Sequence, residues 1–319
     1  MTNKHPYSRA IDKNRSVDHI PYPTQVRNQA RYPTSPAPER EKRKRGSFCC
    51  GCFPFFILGF VSLFFIAAYL LYPSRSNILI LGIDYTDPGS ALGRSDTILL
   101  STIKPWEPYI GMLSIPRDLW VVIPGVGENR INTAHYFAEI QERGSGPLAT
   151  VNTVETNFGV NINHYIRVKF DAFREVVTAM GGVYLKLDKP MAGYPPGEYH
   201  LKGRKALAFV RHRSNSDDFF RMENGQFMIK QILKQMLKPA YWPRVPAVIA
   251  AFSKNVDTDI PAWMWPRIIL AILRVGPDGI DGRTITRDMV TPFFTVAGAN
   301  VLAPNWNLIN PMLYEMFAE

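Results

Sequence analysis

Apolar positions along the chain fall into runs of two lengths. From Phe53 to Tyr72 the stretch FPFFILGFVSLFFIAAYLLY passes twenty residues without a charge. At about 1.5 Å of rise per residue, that length crosses a hydrocarbon core of roughly 30 Å, so one transmembrane helix is expected over 53–72. The run is longer than the apolar segment of a cleaved leader, and fifty-two residues precede it, so it is expected to be retained. Beyond it the apolar runs shorten and alternate. Asn77–Ile83, Thr97–Ile103 and Tyr109–Ile115 read as buried strands, the last two joined by a turn at Pro105–Pro108. Helices are expected over Asn132–Arg143 and Pro147–Phe158, followed by a strand at His164–Phe170. Asp171 is expected to cap a helix ending at Gly181-Gly182, and Val183–Leu187 is another strand. Ala208–Arg213 reads as a strand, and helices follow over Asp217–Leu237, Ala262–Arg274 and Leu308–Phe317. This alternation predicts an α/β fold, one mixed sheet covered by helices on both faces.

Charge changes the picture once it is located. The net charge of +10 resembles a nucleic-acid signature, but residues 1–52 hold eleven Lys/Arg against four acids, a net of +7, which leaves +3 for the rest. A groove tracking a phosphate backbone needs its charge on the folded part, so no nucleic-acid partner is expected. Residues 1–52 mix proline with charge and show no apolar period, which predicts a disordered tail. The run Lys42-Arg43-Lys44-Arg45 precedes the apolar helix, and Arg75 is the nearest charge after it. By the positive-inside rule the tail is cytoplasmic and residues 73–319 form an extracytoplasmic domain. Cys49, Cys50 and Cys52 are the chain's three cysteines, so that domain contains no disulfide and rests on its core.

Short charged segments interrupt the apolar framework: Asp84 after the first strand, Arg94-Ser95-Asp96 before the second, and Arg117-Asp118 after the third. If the three strands are antiparallel neighbours, all of these residues converge on one rim. In a strand over 208–213, Arg211 and Arg213 would share a face, and Asp217, Asp218 and Arg221 would follow at the start of the next helix. Arginine meets a diphosphate with a rigid bidentate fork, whereas gathered guanidiniums repel one another unless an anion joins them. Aspartates among them suit Mg²⁺ or Mn²⁺, which bridge carboxylate and phosphate oxygens. Any one such pair is an ordinary surface salt bridge, but the whole set predicts metal-assisted phosphoryl chemistry.

The stretches NILILGID, GRSDTILL, MLSIPRDLWV, NRINTAH, ALAFVRHRSNSDDFFR and VDTDIP, in that order, resemble the LytR-CpsA-Psr family of membrane-anchored cell-envelope enzymes. The resemblance implies an αβα sandwich with a mixed central sheet over residues 73–319. It also implies transfer of a glycopolymer, such as a teichoic acid or capsular polysaccharide, from a polyprenyl-pyrophosphate carrier at the bilayer to peptidoglycan, with one phosphate kept in the linkage. Under it, Asp84 and Asp96 are the metal-side carboxylates. Arg94, Arg117, Arg211, Arg213 and Arg221 are pyrophosphate ligands, and Arg130 stands where the family often has Lys. Asp118 is expected to hold its neighbouring arginine in place, with Arg117, Asp118 and Arg221 the catalytic set. Hydrolysis of the carrier is the alternative reaction, and a non-catalytic envelope sensor the alternative class. A sensor has no need of metal-binding carboxylates. The family usually has a second Arg and a Gln three and four residues after Arg221, where this chain has Asn224 and Gly225. Gln226 lies five residues on, about 140° around a helix from Arg221. Either the helix is distorted there, or the chain does without that contact.

Overall fold

The structure is a computed structural model, and it describes residues 53–71, 75–85, 93–104, 107–212 and 218–318. The tail of residues 1–52 with its three cysteines, Arg213 and Asp217 lie outside the described residues, as does the side chain of Asp218.

Helix α1 (Phe53–Leu71) is followed by β1 (Ser76–Tyr85), β2 (Gly93–Lys104) and β3 (Tyr109–Ile115), and then by a hairpin of β4 (Trp120–Ile123) and β5 (Gly127–Arg130). Next come α2 (Thr133–Gln141), α3 (Gly146–Phe158), β6 (His164–Lys169), α4 (Phe170–Ala179), β7 (Val183–Leu187) and β8 (Gly197–Leu201). The chain continues through α5 (Gly203–Arg211), α6 (Asp218–Met236), α7 (Val245–Asn255), β9 (Val256–Thr258) and α8 (Trp265–Val275). It closes with β10 (Asp281–Thr284), β11 (Val290–Phe294), β12 (Asn300–Pro304) and α9 (Trp306–Phe317).

Six strands form one sheet in the order β10-β3-β2-β1-β6-β9. The pairs β1/β2, β2/β3 and β6/β9 are antiparallel, whereas β1/β6 and β10/β3 are parallel, so the sheet is mixed as expected. Its apolar residues alternate between two cores. Leu79, Leu81, Leu100 and Leu113 face Val154 and Phe158 of α3 and Ile309 and Met316 of α9. Ile78, Leu99 and Met112 face Ile268 and Ala271 of α8, with Ile229 and Leu233 of α6 packed alongside. A third core joins α4, α5 and α6 to the β7/β8 hairpin around Val177, Phe209 and Met228.

Two expectations are corrected. Ala208–Arg213 is no strand: α5 is helical through Arg211, because Gly203, Ala206 and Phe209 recur every three residues and are buried. A Cβ at Gly203 would lie 2.5 Å from the Arg174 carbonyl oxygen, so the bare backbone lets α5 start flush against α4. Asp171 sits in the first turn of α4, whose N-cap is Lys169. Helix α1 turns Phe55, Phe56, Phe60, Phe64 and Phe65 outward. Its side chains are described only from Phe55 to Tyr69, and among the described residues no helix is long and apolar enough to cross a membrane. The expected span over 53–72 therefore does not follow from the structure.

Candidate active site

The rim is built by strand register. Asp84 at the end of β1 lies opposite Arg94 near the start of β2. Between them the register slips: Gly82 pairs with Thr97 and Ile83 with Ser95, so Asp96 is the unpaired residue of a bulge. Glycine is required beside the bulge, because a Cβ at Gly82 would stand 2.9 Å from that of Thr97. β3 ends at Ile115 alongside Ile98, which delivers Arg117 to the same edge.

The side chains then form a connected network. Arg117 Nη1 donates to Asp96 Oδ1 at 2.8 Å. Arg221 Nη2 donates to the Asp96 backbone oxygen at 2.6 Å, and its Nη1 stands 3.6 Å from Asp96 Oδ2. Arg221 is 7% exposed, so its charge is held in a largely dry place beside the Asp96 carboxylate. Asp118 lies 3.4 Å from Arg117 Nε and 3.4 Å from Arg130 Nε, and Arg130 Nη2 donates to the Asn300 carbonyl at 2.8 Å. β12 braces this segment through Leu302 N–H to Asp118 O, 3.0 Å. Arg211 Nη2 donates to Asp84 Oδ2 at 2.9 Å, and its guanidinium lies over the Phe170 ring at 4.9 Å. Arg94 is exposed, 5.8 Å from the centre of the Tyr136 ring.

Every expected site residue whose side chain is described thus sits on one rim: Asp84, Arg94, Asp96, Arg117, Asp118, Arg130, Arg211 and Arg221. Among the described residues, five guanidiniums stand with three carboxylates on this rim. Arg211 arrives from the last turn of a helix, so the shared strand face expected for Arg211 and Arg213 is absent. Asn224 and Gly225 lie within an unbroken α6, which removes the distortion alternative. Asn224 Nδ2 donates to the His212 carbonyl at 3.4 Å, tying α6 to the residue after Arg211. A Cβ at Gly225 would meet nothing within 4 Å. Gln226 faces away from the rim, donating to Ser114 Oγ at 2.8 Å and Arg283 O at 2.7 Å, as its angular offset requires.

Residues behind the rim were not visible as site residues from sequence. Asn132 N–H donates to the Arg117 carbonyl (3.2 Å) and its own carbonyl accepts from Ser95 N–H (3.3 Å), so it stitches two rim segments together. Its Oδ1 is buried with no hydrogen-bond partner among the described residues. His135 Nδ1 donates to the carbonyl of Gly93, the residue before Arg94, at 2.9 Å. Burial, opposed by that bond and by the Glu139 charge, holds the His135 pKa below its ordinary value, so the imidazole is neutral. Its Nε2 faces Arg167 Nη1 at 3.5 Å, and that nitrogen donates to Glu139 Oε1 at 2.5 Å. Burial raises the Glu139 pKa, but the Gly144 amide and the Arg167 charge outweigh it and leave the carboxyl below the usual range. The membership of His135 in NRINTAH was the available signal; Glu139, Tyr136 and Phe170 gave none.

Among the described residues no cluster of three or more metal-ligating side chains gathers. Asp84 and Asp96, the carboxylates expected on the metal side, are each engaged by arginine, Asp84 by Arg211 and Asp96 by Arg117 and Arg221.

Fold and rim together define an α/β domain that gathers arginines and aspartates at one sheet edge. The sequence profile of the LytR_cpsA_psr family matches residues 71–307, and the chain belongs to that family. It is 34% identical over 190 residues to the polyisoprenyl-teichoic acid–peptidoglycan teichoic acid transferase TagU of Oceanobacillus iheyensis, an alignment covering 58% of each chain. The TagU of Enterococcus faecalis is 30% identical, with 67% of this chain and 73% of that one covered. The chain thus spans under two thirds of the first of these relatives. Among solved structures, B. subtilis TagV superposes with a TM-score of 0.62 at 25% identity, covering 77% of this chain and 98% of TagV. TagT bound to LIIa-WTA shares the fold, with a TM-score of 0.61 at 21% identity, covering 78% of this chain and 93% of TagT.

Proposed function

We propose that the rim binds the pyrophosphate of a polyprenyl-linked glycopolymer and that the chain transfers the polymer to a peptidoglycan hydroxyl. The observation that carries this reading is Asp96, which holds the guanidiniums of Arg117 and Arg221 at one point. The names of the relatives, teichoic acid transferases to peptidoglycan, support the same reading.

In the reaction the acceptor hydroxyl oxygen forms a bond to the phosphorus that carries the sugar. The bond from that phosphorus to the bridging oxygen breaks, polyprenyl monophosphate leaves, and the hydroxyl proton passes to solvent or to the leaving phosphate. Charge builds on the phosphoryl and leaving oxygens, and Arg117 and Arg221, gathered at Asp96, are the guanidiniums that would stabilise it. Arg94, Arg130 and Arg211 orient the diphosphate, with Arg213 in the same segment. Asp118 positions Arg117 and Arg130 between its two oxygens. Asp84 and Asp96 would hold Mg²⁺ or Mn²⁺, which would supply further charge neutralisation. Phe53–Tyr72 anchors the chain in the cell membrane with the tail cytoplasmic and the domain outside. This follows from the charge-free stretch, the outward phenylalanines and the basic run before it.

The test uses the purified full chain, a polyprenyl-pyrophosphate-linked glycopolymer and peptidoglycan fragments. A phosphodiester-linked product is expected, lost in Arg117→Ala and Asp96→Ala and on chelation of divalent metal. Free polymer phosphate without linked product would make the chain a hydrolase. Undiminished turnover by both variants would remove the enzymatic reading.

A further inference from the structure

We propose that the outer face of α8, with the turn before α7, lies on the outer leaflet of the membrane and holds the domain against it at a fixed tilt. The proposal rests on the anchoring role given above to Phe53–Tyr72. Helix α8 is apolar on two sides. Ile268 and Ala271 face the sheet core, yet the exposed stripe Trp263, Pro266, Ile269 and Leu273 is also wholly apolar. Trp263 is 60% exposed, Ile269 51% and Leu273 56%. Spaced at three or four residues, these positions form one line that begins at Trp263 in the turn before α8 and runs about 10 Å along the helix from Pro266 to Leu273. A soluble surface rarely leaves such a line uncovered. Helix α7 meets the start of α8 where the Phe252 and Trp265 rings pack edge-on at 5.4 Å, and it leaves Ile249 58% exposed and no residue fully buried, with Trp242 in the turn before it 60% exposed.

What covers the stripe is set by its neighbour. Tyr69, two residues before the end of α1, packs edge-on against Trp263 with ring centres 6.0 Å apart, and its hydroxyl donates to the Trp263 carbonyl. The Arg267 guanidinium lies 5.6 Å from the centre of the Tyr69 ring. Tyrosine, tryptophan and arginine are residues that settle at the headgroup level of a bilayer. A helix that leaves the membrane at Tyr69 therefore puts Trp263 at that same level, and the stripe continues from it. Charge agrees with an anionic leaflet. Between Pro239 and Val275 the acids are Asp257 and Asp259, set at the β9 edge against Arg167 and His164, while Lys254 and Arg274 are exposed.

Tryptophan quenching tests this, because α1 itself carries no tryptophan. The full chain is reconstituted in phosphatidylcholine/phosphatidylglycerol vesicles, with and without phosphatidylcholine brominated high on its acyl chains. Brominated lipid is expected to quench part of the emission. Trp263→Phe should remove the larger share of that quenching, whereas Trp120→Phe, in the β4/β5 hairpin, should remove none. The double variant Ile269→Glu/Leu273→Glu should weaken quenching while its thermal unfolding in detergent stays unchanged, since both residues are exposed. Equal emission in the two lipids, or quenching indifferent to Trp263→Phe, overturns the proposal. So does a dimer in analytical ultracentrifugation that the double variant dissolves, which would make a second copy the occupant. Alkaline carbonate extraction separates the two readings: a chain that stays in the membrane without quenching keeps its anchor and loses the docked face, and a chain washed off loses both.

Discussion

Glu139→Gln is the sharpest test of the buried support behind the rim. Glu139 has a 3% exposed side chain and receives three donors: Arg167 Nη1 at 2.5 Å, Gly144 N–H at 3.0 Å and Gly146 N–H at 3.3 Å. A glutamine of the same shape has one accepting oxygen, and its amide nitrogen must face one of those donors. Leaving a buried backbone N–H unpaired costs about 1–3 kcal/mol. Neutralising the partner of Arg167 costs about 1–2 kcal/mol more, moderated because Arg167 keeps Asp257 at 2.7 Å. The sum is about 3 kcal/mol, a fall in Tm of roughly 6–12 °C for a domain of this size. Chemical denaturation at neutral pH measures it. A loss below about 1 kcal/mol would refute the reasoning, since it would mean that the amides and the guanidinium find other partners at little cost. Because the network holds His135, and His135 holds Gly93, the variant should also weaken diphosphate binding through Arg94, by less than removal of Arg117.

Acidification should expose the same network in two windows. His135 has a folded pKa below its ordinary 6.5, so the unfolded chain takes up this proton first and stability falls as pH drops from about 6.5 towards the lower folded value. Glu139 is lowered from 4.5, so its contribution is present above 4.5 and is lost as pH falls through its folded value. Denaturant titrations from pH 7.5 down to about pH 3 should show both, and His135→Gln should abolish the first. Gly93→Ala would place a Cβ 2.5 Å from Ile83 Cγ2 and 2.8 Å from the Asp84 carbonyl oxygen, so it should destabilise by about 1–3 kcal/mol and loosen the Asp84/Arg94 register, read as weakened diphosphate binding. Gln226→Leu leaves Ser114 Oγ and the Arg283 carbonyl without their donor and should cost about 1–3 kcal/mol in denaturation while turnover per folded molecule is unchanged.

The central strands were legible because buried runs such as NILILGI and YIGMLSI are apolar on both faces and bounded by turns. The charged residues between them were legible as a rim for the same reason, since antiparallel neighbours fix which strand ends meet. Ala208–Arg213 misled because AFVRHR, three apolar residues then three basic ones, is so short a window that a helix end and a strand look alike. The decisive spacing lay upstream, in Gly203, Ala206 and Phe209. The β4/β5 and β11/β12 hairpins and edge strand β10 were not expected. All are of five residues or fewer, β5 and β10 are polar, and β12 is recruited by a tertiary contact, the Leu302 bond to Asp118, that no local pattern announces. The departure at Asn224 and Gly225 was visible, and an unbroken helix there resolves one of its two explanations.

The account turns on whether the rim recognises a diphosphate. Calorimetric titration of the full chain in detergent with a short polyprenyl diphosphate and its monophosphate, in the presence of Mg²⁺, asks this directly. Preferential binding of the diphosphate is predicted, weakened at least about tenfold, or about 1.4 kcal/mol, by Arg117→Ala and by Arg221→Ala separately. Equal affinity for the two ligands, unchanged in both variants, would contradict it.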